Sequence, residues 1–525
     1  MTRFAIGLAV VVVLFTAQWE ARAQVLYGSL TGNVTDATGA AVAGAKIEAS
    51  NTATGTSKQT VTDDHGGYSI GDLQAGIYRV TISAPSFATV VQENVHLDAN
   101  ALRRIDTQLQ VAQVNQSVTV DASAAALQTD RADVSSQIGA TQVANLPLGV
   151  NRNFQTLYKL VPGSSPPIAA HSSAGNPTGA LATNVNGGAD TSNLTRIDGT
   201  ADPNFWEGNI IAYVPPAEAI EAVNIVTASF DAEQGLAGGS AVNIAIKSGT
   251  NAFHGSAWEY NTNSDLKARN FFYYGANNPK NILNQFGLAL GGPIVKNKLF
   301  FFVDWERYML RQSVSGLQSV PTDAIRQGNF AGTGTTIYNP LTGNPDGTGR
   351  TPFPNNQIPA SMLSSAAMKM AALIPEPNQG SGIANNYFGS ASLQYTRDNV
   401  DMKLNYNPND KSSVFGRYSV MPATIFDPQA LGPAGGNTFD GGQPGTAPSL
   451  TQSAALGGTY NFSPHLLLDA NIGFVREPLA AKNVDINKNY GSDVLGIPGT
   501  NGPNPLQGGY PNFVINGFSS LGNPN

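Results

Sequence analysis

Residues able to do chemistry are thinly spread in this chain, and their spacing limits what they can do. Asp63, Asp64 and His65 are of metal-ligating type and adjacent, and carboxylates and imidazole are the usual ligands of divalent cations. They fall in the run Thr62-Asp63-Asp64-His65-Gly66-Gly67, where an aspartate accepts bonds from its own following backbone and caps a bend. The cluster is therefore read as a turn. His96, His171, His254 and His465 stand singly, and there is no cysteine. HExxH, CxxC and the Walker-type phosphate loop are missing, so metalloprotease, redox and nucleotide-binding readings lack their defining residues. Without a nucleophile, base and orienter together, an envelope hydrolase with its catalytic domain elsewhere ranks last. The expectation is a protein that is not an enzyme and has no catalytic, cofactor or metal site.

The remaining chemistry is that of the main chain. Ser117, Val118, Thr119, Val120 and Asp121 form a short alternating run inside the small, polar stretch 113–133. A partner strand could add to such a run through backbone hydrogen bonds, and an inert linker explains it almost as well. The run resembles a TonB box, the segment by which outer-membrane receptors engage the periplasmic protein TonB.

The N-terminus places the chain outside the cytoplasm. Arg3, the apolar run 4–15, and Ala21-Arg22-Ala23 before Gln24 make a secretory signal peptide with a small-x-small cleavage site at Ala21, Ala23 and Gln24. A membrane anchor is the other reading, but about 12 apolar residues fall short of the roughly 20 that a spanning helix needs. An exported chain without cysteine fits a bacterial envelope protein held together by β-ladders. Charged residues are only 12% while Gly numbers 56, which suits turn-rich β-structure. A net charge of −7 offers no electrostatic footprint for nucleic acid.

Mainly β structure follows in three parts. Residues 24–112 contain seven short β-segments: GSLTGNVTD, AKIEASN, SKQTVTD, YSIGDL, YRVTISA, ATVVQENVHL and ALRRIDTQLQV, separated at sandwich-like spacing. The elements Gly32-Asn33-Val34-Thr35-Asp36, Gly44-Ala45, Thr62 to Tyr68 and Leu73-Gln74-Ala75-Gly76-Ile77-Tyr78 resemble the carboxypeptidase regulatory-like domain. That resemblance implies a prealbumin-like β-sandwich, related to carbohydrate-binding-like folds, without peptidase activity.

Residues 134–250 hold a short helix around 152–160, a Gly-, Ser- and Pro-rich stretch 164–183 that reads as a mobile insert, and Arg196-Ile197-Asp198-Gly199. Two strand-like runs, 222–227 and 241–247, then flank a Gly-rich turn at 235–239, a hairpin pattern. The stretch resembles the α+β plug of TonB-dependent receptors, clearest from Ile197 to Gly239.

Residues 251–525 alternate apolar and polar in hairpins. Phe286, Leu288 and Leu290 lead through Lys296-Asn297-Lys298 to Leu299, Phe301, Val303 and Trp305. Val400, Met402, Leu404 and Tyr406 lead through Asn407-Pro408-Asn409-Asp410 to Val414, Gly416, Tyr418 and Val420. A third pair joins Leu456, Tyr460 and Phe462 to Leu466, Leu468, Ile472 and Phe474. Strands of about ten residues, apolar outside and polar inside, with short turns alternating with long loops, mark a transmembrane β-barrel. The long stretch 309–392 is expected to face outward and to contain a helix over 360–374, where Met362, Leu363, Ala366, Met370 and Leu373 recur at helical spacing.

The order of parts, with Gly249-Thr250-Asn251-Ala252-Phe253-His254-Gly255 and Gly291-Gly292-Pro293-Ile294, resembles the Oar-like TonB-dependent receptors. That family implies an outer-membrane position against lipid, coupling to TonB, and uptake of a bulky substrate such as a carbohydrate or peptide. Only some seven barrel strands are legible against about 22 in a plugged transporter, so the chain is expected to be an N-terminal fragment. The alternative function is a carbohydrate-binding or adhesive surface protein that uses the sandwich, with Tyr68, Tyr78 and Phe87 as sugar-stacking or core residues.

Overall fold

The computed structural model describes residues 27–524 except 100, 112–116, 122–129, 131, 150, 231–233, 236, 441 and 464–465. The signal peptide and its cleavage residues Ala21, Ala23 and Gln24 lie outside the described residues.

The N-terminal body is a two-sheet sandwich. Its strands are β1 (Gly28–Thr35), β2 (Lys46–Asn51), β3 (Ser57–Val61), β4 (Gly67–Leu73), β5 (Gly76–Ser83), β6 (Thr89–Leu97), β7 (Leu102–Arg104) and β8 (Thr107–Gln108). One sheet runs β4-β1-β7 with β8 also on β1, and the other runs β3-β2-β5-β6. Alternation fixes the faces, because successive strand side chains point to opposite sides: Tyr78, Val80 and Ile82 join Leu30, Val34, Ile47 and Leu97 in one core. The seventh expected segment is broken in two. Asn33 gives its backbone N–H to Asp106 Oδ1 at 2.8 Å, so a side chain replaces one rung of the ladder where β7 passes to β8. Leu30 is fully buried. Leu30→Ala should lower the stability of this body by about 2–5 kcal/mol, read as a shifted denaturation midpoint of the isolated segment.

The stretch expected to be a linker contains more structure than that. Ser117–Asp121 is a strand, β9, which adds parallel to β6 at the sheet edge with Val90 opposite Val118 and Gln92 opposite Val120.

The second body is a five-stranded mixed sheet, β10-β15-β16-β13-β14, built from β10 (Val134–Gly139), β13 (Leu194–Ile197), β14 (Thr200–Ala201), β15 (Ile220–Ala228) and β16 (Ala241–Ile246). A separate two-residue ladder joins β11 (Ile168–Ala169) to β12 (Leu181–Ala182). The hairpin pattern is met by the antiparallel β15–β16 pair, with Val223 opposite Ile244. The helix expected at 152–160 is a 3-10 helix, Phe154–Leu160, whose N-cap Asn153 accepts from Gln155 N. A helix at Ala140–Asn145 was not anticipated; it buries only Val143, too little to leave a periodic trace. The 164–183 stretch is also tied down, since Asn176 Nδ2 reaches Ala170 O at 2.9 Å and Ala180 O at 2.7 Å.

The third body is one antiparallel sheet in chain order: β17 (His254–Asn263), β18 (Asn281–Val295), β19 (Leu299–Gln318), β20 (Tyr387–Asn409), β21 (Ser412–Asp427), β22 (Gly445–Ser463) and β23 (Leu466–Arg476). Connections at 264–280, 319–386 and 428–444 alternate with turns at 296–298 and 410–411. Its burial is inverted relative to a soluble sheet. Leu404 is 50% exposed while its neighbour Lys403 is 6% exposed, and Leu456, Ile472 and Phe474 likewise point away from the protein.

Two expectations need correction. The strands reach 23 residues in β20, well beyond about ten, because pairing continues past the apolar belt through polar positions such as Ser313 opposite Ser392. The helix expected over 360–374 is two pieces, Ala360–Met362 and Ser365–Ala371. Leu363 between them is extended, and Ser364 caps the second piece by accepting from Ala367 N, which restarts the helix.

Candidate plug and wall interface

The polar side of the seven-stranded sheet packs on the second body, and buried polar groups join the two. Asp198 and Gly199 form the two-residue turn between β13 and β14, with φ of 48° and 77°. Positive φ at both positions matches the hairpin turns that Asp-Gly favours, and it presents the Asp198 carboxylate to the wall. Oδ1 accepts from Lys403 Nζ of β20 at 2.8 Å and from Ile246 N at 3.1 Å. Arg417 Nε of β21 stands 3.3 Å from Oδ2. All three side chains are nearly or fully out of solvent.

The network continues along the wall. Arg417 donates to Ser419 Oγ at 2.5 Å and to Ser453 Oγ at 3.1 Å. Ser419 Oγ donates to Asp401 Oδ1, and Tyr213 of the second body donates to Asp401 Oδ2 at 2.7 Å. Around this centre, Asn399 Nδ2 reaches Val214 O at 3.2 Å and Ser248 Oγ reaches Asn405 Oδ1 at 2.7 Å. Arg397 and Tyr395 donate to the carbonyls of Thr178 and Pro177. Apolar contact joins the same surfaces: Phe154, Leu157 and Tyr213 share one core with Phe302, Met421 and Ile425.

A family model described as an outer membrane beta barrel domain matches residues 245–525, over half of the 525 residues. The chain belongs to this outer-membrane β-barrel family. Its place is the outer membrane, and the exposed apolar faces of β17–β23 are the lipid side of the barrel wall. The carboxypeptidase regulatory-like domain matches residues 29–110. The TonB-dependent transporter Oar of Myxococcus xanthus is 25% identical over 278 residues, which is 49% of this chain and 25% of that protein. Solved structures with a similar arrangement include the outer-membrane transporter YddB of Escherichia coli, 12% identical with a TM-score of 0.43 over 67% of this chain and 40% of that one. A mutant of the ferric enterobactin receptor of Pseudomonas aeruginosa is 13% identical with a TM-score of 0.39 over 74% and 44%. The chain thus spans about a quarter of the curated relative's length and under half of these solved receptors.

Other sequence candidates find definite places around the outer-membrane barrel. Asp63 Oδ1 accepts from His65 N and Gly67 N, both at 2.8 Å, so it caps its own turn. Gly67-Tyr68-Ser69-Ile70-Gly71 spells a G-x-S-x-G run, but it lies within the extended strand β4 and lacks the strand-turn-helix elbow that presents a nucleophile. Tyr68 and Tyr78 are buried in the sandwich core and Phe87 packs against it. His171 Nε2 meets Glu207 Oε1 at 2.7 Å, a pairing across the plug that sequence spacing could not reveal. The plug–wall charges were visible only as polar positions, Asp401, Lys403 and Asn405, on the inward phase of an alternating strand.

Asp202 gives the plug a pH dependence. Burial pushes its carboxyl up to about 7, against the opposing pull of its bond from Tyr213 N and of Arg417. A carboxyl raised in the folded state stabilises that state while protonated, so this contribution is present below the unfolded value of about 4 and is lost as pH rises toward 7. The loss is on the order of 4 kcal/mol for a shift of this size. The protection factor of the Tyr213 amide, its exchange rate measured against the intrinsic rate at the same pH, should therefore fall between pH 4 and 8, and Asp202→Asn should flatten that fall.

Proposed function

We propose that this chain is the receptor portion of a TonB-dependent transporter, in which a plug seated in an outer-membrane barrel is released for the energised uptake of a bulky substrate. The observation that carries the reading is the second body itself, held against a lipid-facing wall by a buried charge network centred on Asp198, Lys403 and Arg417. A protein with only an adhesive role gains nothing from filling its barrel in this way. In the proposed division, residues 24–112 are the regulatory-like sandwich, 113–133 carry the TonB box, 134–250 are the plug and 251–525 line the barrel. Ser117, Val118, Thr119, Val120 and Asp121 offer an edge strand to periplasmic TonB, outer-membrane lipid surrounds the wall, and the substrate is carbohydrate or peptide.

This reading fixes a topology. The long connection 319–386 lies at the end of the wall opposite the short turns, and it faces the outside. Protease added to intact cells that express the full gene product should cut within 319–386. Cleavage only after the outer membrane has been opened would reverse the topology, and uptake that persists without TonB or a proton gradient would contradict the coupling.

A further inference from the structure

The sandwich does not hang free of the barrel. Its loop after β2 meets the short-turn end of the wall, where Asn251 N donates to Ala53 O at 3.0 Å and Asn251 Nδ2 to Thr54 O at 2.6 Å. In β4, Asp72 Oδ2 accepts from both Lys58 of β3 and Thr459 of β22. Asp72 has a φ of 62°, a backbone state that a non-glycine residue adopts only where its surroundings hold it there. Between the three bodies lies a cavity of about 160 Å³, lined by Thr54 and Gln74 of the sandwich, Asp198 and Ser248 of the plug, and Lys403 and Asn405 of the wall.

We infer that the sandwich is a cover over the plug–wall charge network, and that lifting it is the step that unlatches the plug. The inference rests on the receptor reading above only for its release step; the cover itself stands on the contacts just described. With the sandwich in place, the Asp198–Lys403 pair borders a small, partly open cavity and both side chains are nearly or fully out of solvent. Coulomb attraction at fixed distance weakens about fourfold when the effective dielectric rises from about 20 to about 80, so uncovering the pair loosens it without breaking a covalent bond. The chain supplies a handle for this. β9 is hydrogen-bonded along β6 at the edge of the sandwich, and the same chain runs on to β10 of the plug, so tension on β9 bears on the cover before it reaches the plug sheet.

The test uses two sets of variants of the full gene product in outer membranes, with any cysteine outside these 525 residues, which hold none, first replaced by serine so that the introduced thiols alone react. A cysteine at Ser248→Cys reports access to the cavity by its rate of reaction with a water-soluble maleimide. Adding Asp72→Ala and Asn251→Ala should raise that rate about tenfold, the scale set by losing hydrogen bonds that hold a local closure. Equal rates would overturn the cover. In the second set, Thr54→Cys and Asn251→Cys are joined by a short bis-maleimide, which should reduce energised uptake at least tenfold relative to either single-cysteine protein. Unchanged uptake in the joined protein would overturn the release step. If the unsubstituted protein also fails to take up substrate while the labelling contrast persists, the receptor reading fails and the cover stands.

Discussion

Asp198→Ala should unlatch the plug. The substitution leaves Lys403 and Arg417 facing each other's charge inside the wall with their common counter-ion gone, and it removes the acceptor for Ile246 N. Breaking a buried ion pair by deleting one partner costs about 3–5 kcal/mol, because the remaining charge stays buried and unpaired. The loss should be read locally, as faster hydrogen exchange and protease cleavage in β13–β16, and as entry of bulky antibiotics that the intact outer membrane excludes. Asp64→Ala, at an exposed turn of the sandwich, should change stability by less than about 0.5 kcal/mol and serves as the matched control. Were the two variants indistinguishable, the network would be a by-product of packing.

Val118→Pro should abolish energised uptake in the full gene product while leaving ligand binding at the cell surface intact. Proline removes the backbone N–H and fixes φ. In this fold the residue lies opposite Val90 in an edge strand, with its own side chain 46% exposed. If the lost N–H faces β6, the strand loosens from the sandwich; if it faces outward, an incoming strand loses a rung. Either outcome removes the ordered edge on which the proposed TonB contact depends. Uptake equal to that of the unsubstituted protein would leave 117–121 as a linker and move the coupling contact elsewhere.

What could be read in the sequence is what period-2 alternation encodes. Tyr78, Val80 and Ile82 announced the buried face of β5, and Val400, Met402 and Leu404 announced the lipid face of β20. The signal vanishes where both faces are polar, so Ser313 and Ser392 read as loop although they pair within the ladder. Nor could it show that Lys403, one polar position among many on the inward face, meets Asp198 some two hundred residues earlier. The Asp198-Gly199 pair is of a type that tight turns favour, but its ionic role arises only when the second body sits against the wall. β9 illustrates the limit in another way. Its valines mark a strand, whereas the choice between an open tail and a sandwich edge depends on the distant partner β6.

The central claim is that residues 254–476 form a wall with its apolar face in lipid and its polar face on the plug. Single nitroxide labels at 402, 404 and 406, and at the inward positions 285, 289 and 455 that lie outside the charge network, measure this site by site in outer-membrane vesicles when probed with oxygen and with a water-soluble relaxant. The account predicts that 402, 404 and 406 are relaxed by oxygen as lipid-exposed sites are, while 285, 289 and 455 are protected from both reagents. Loss of that contrast, or the water-soluble relaxant reaching 402, 404 and 406, would contradict it.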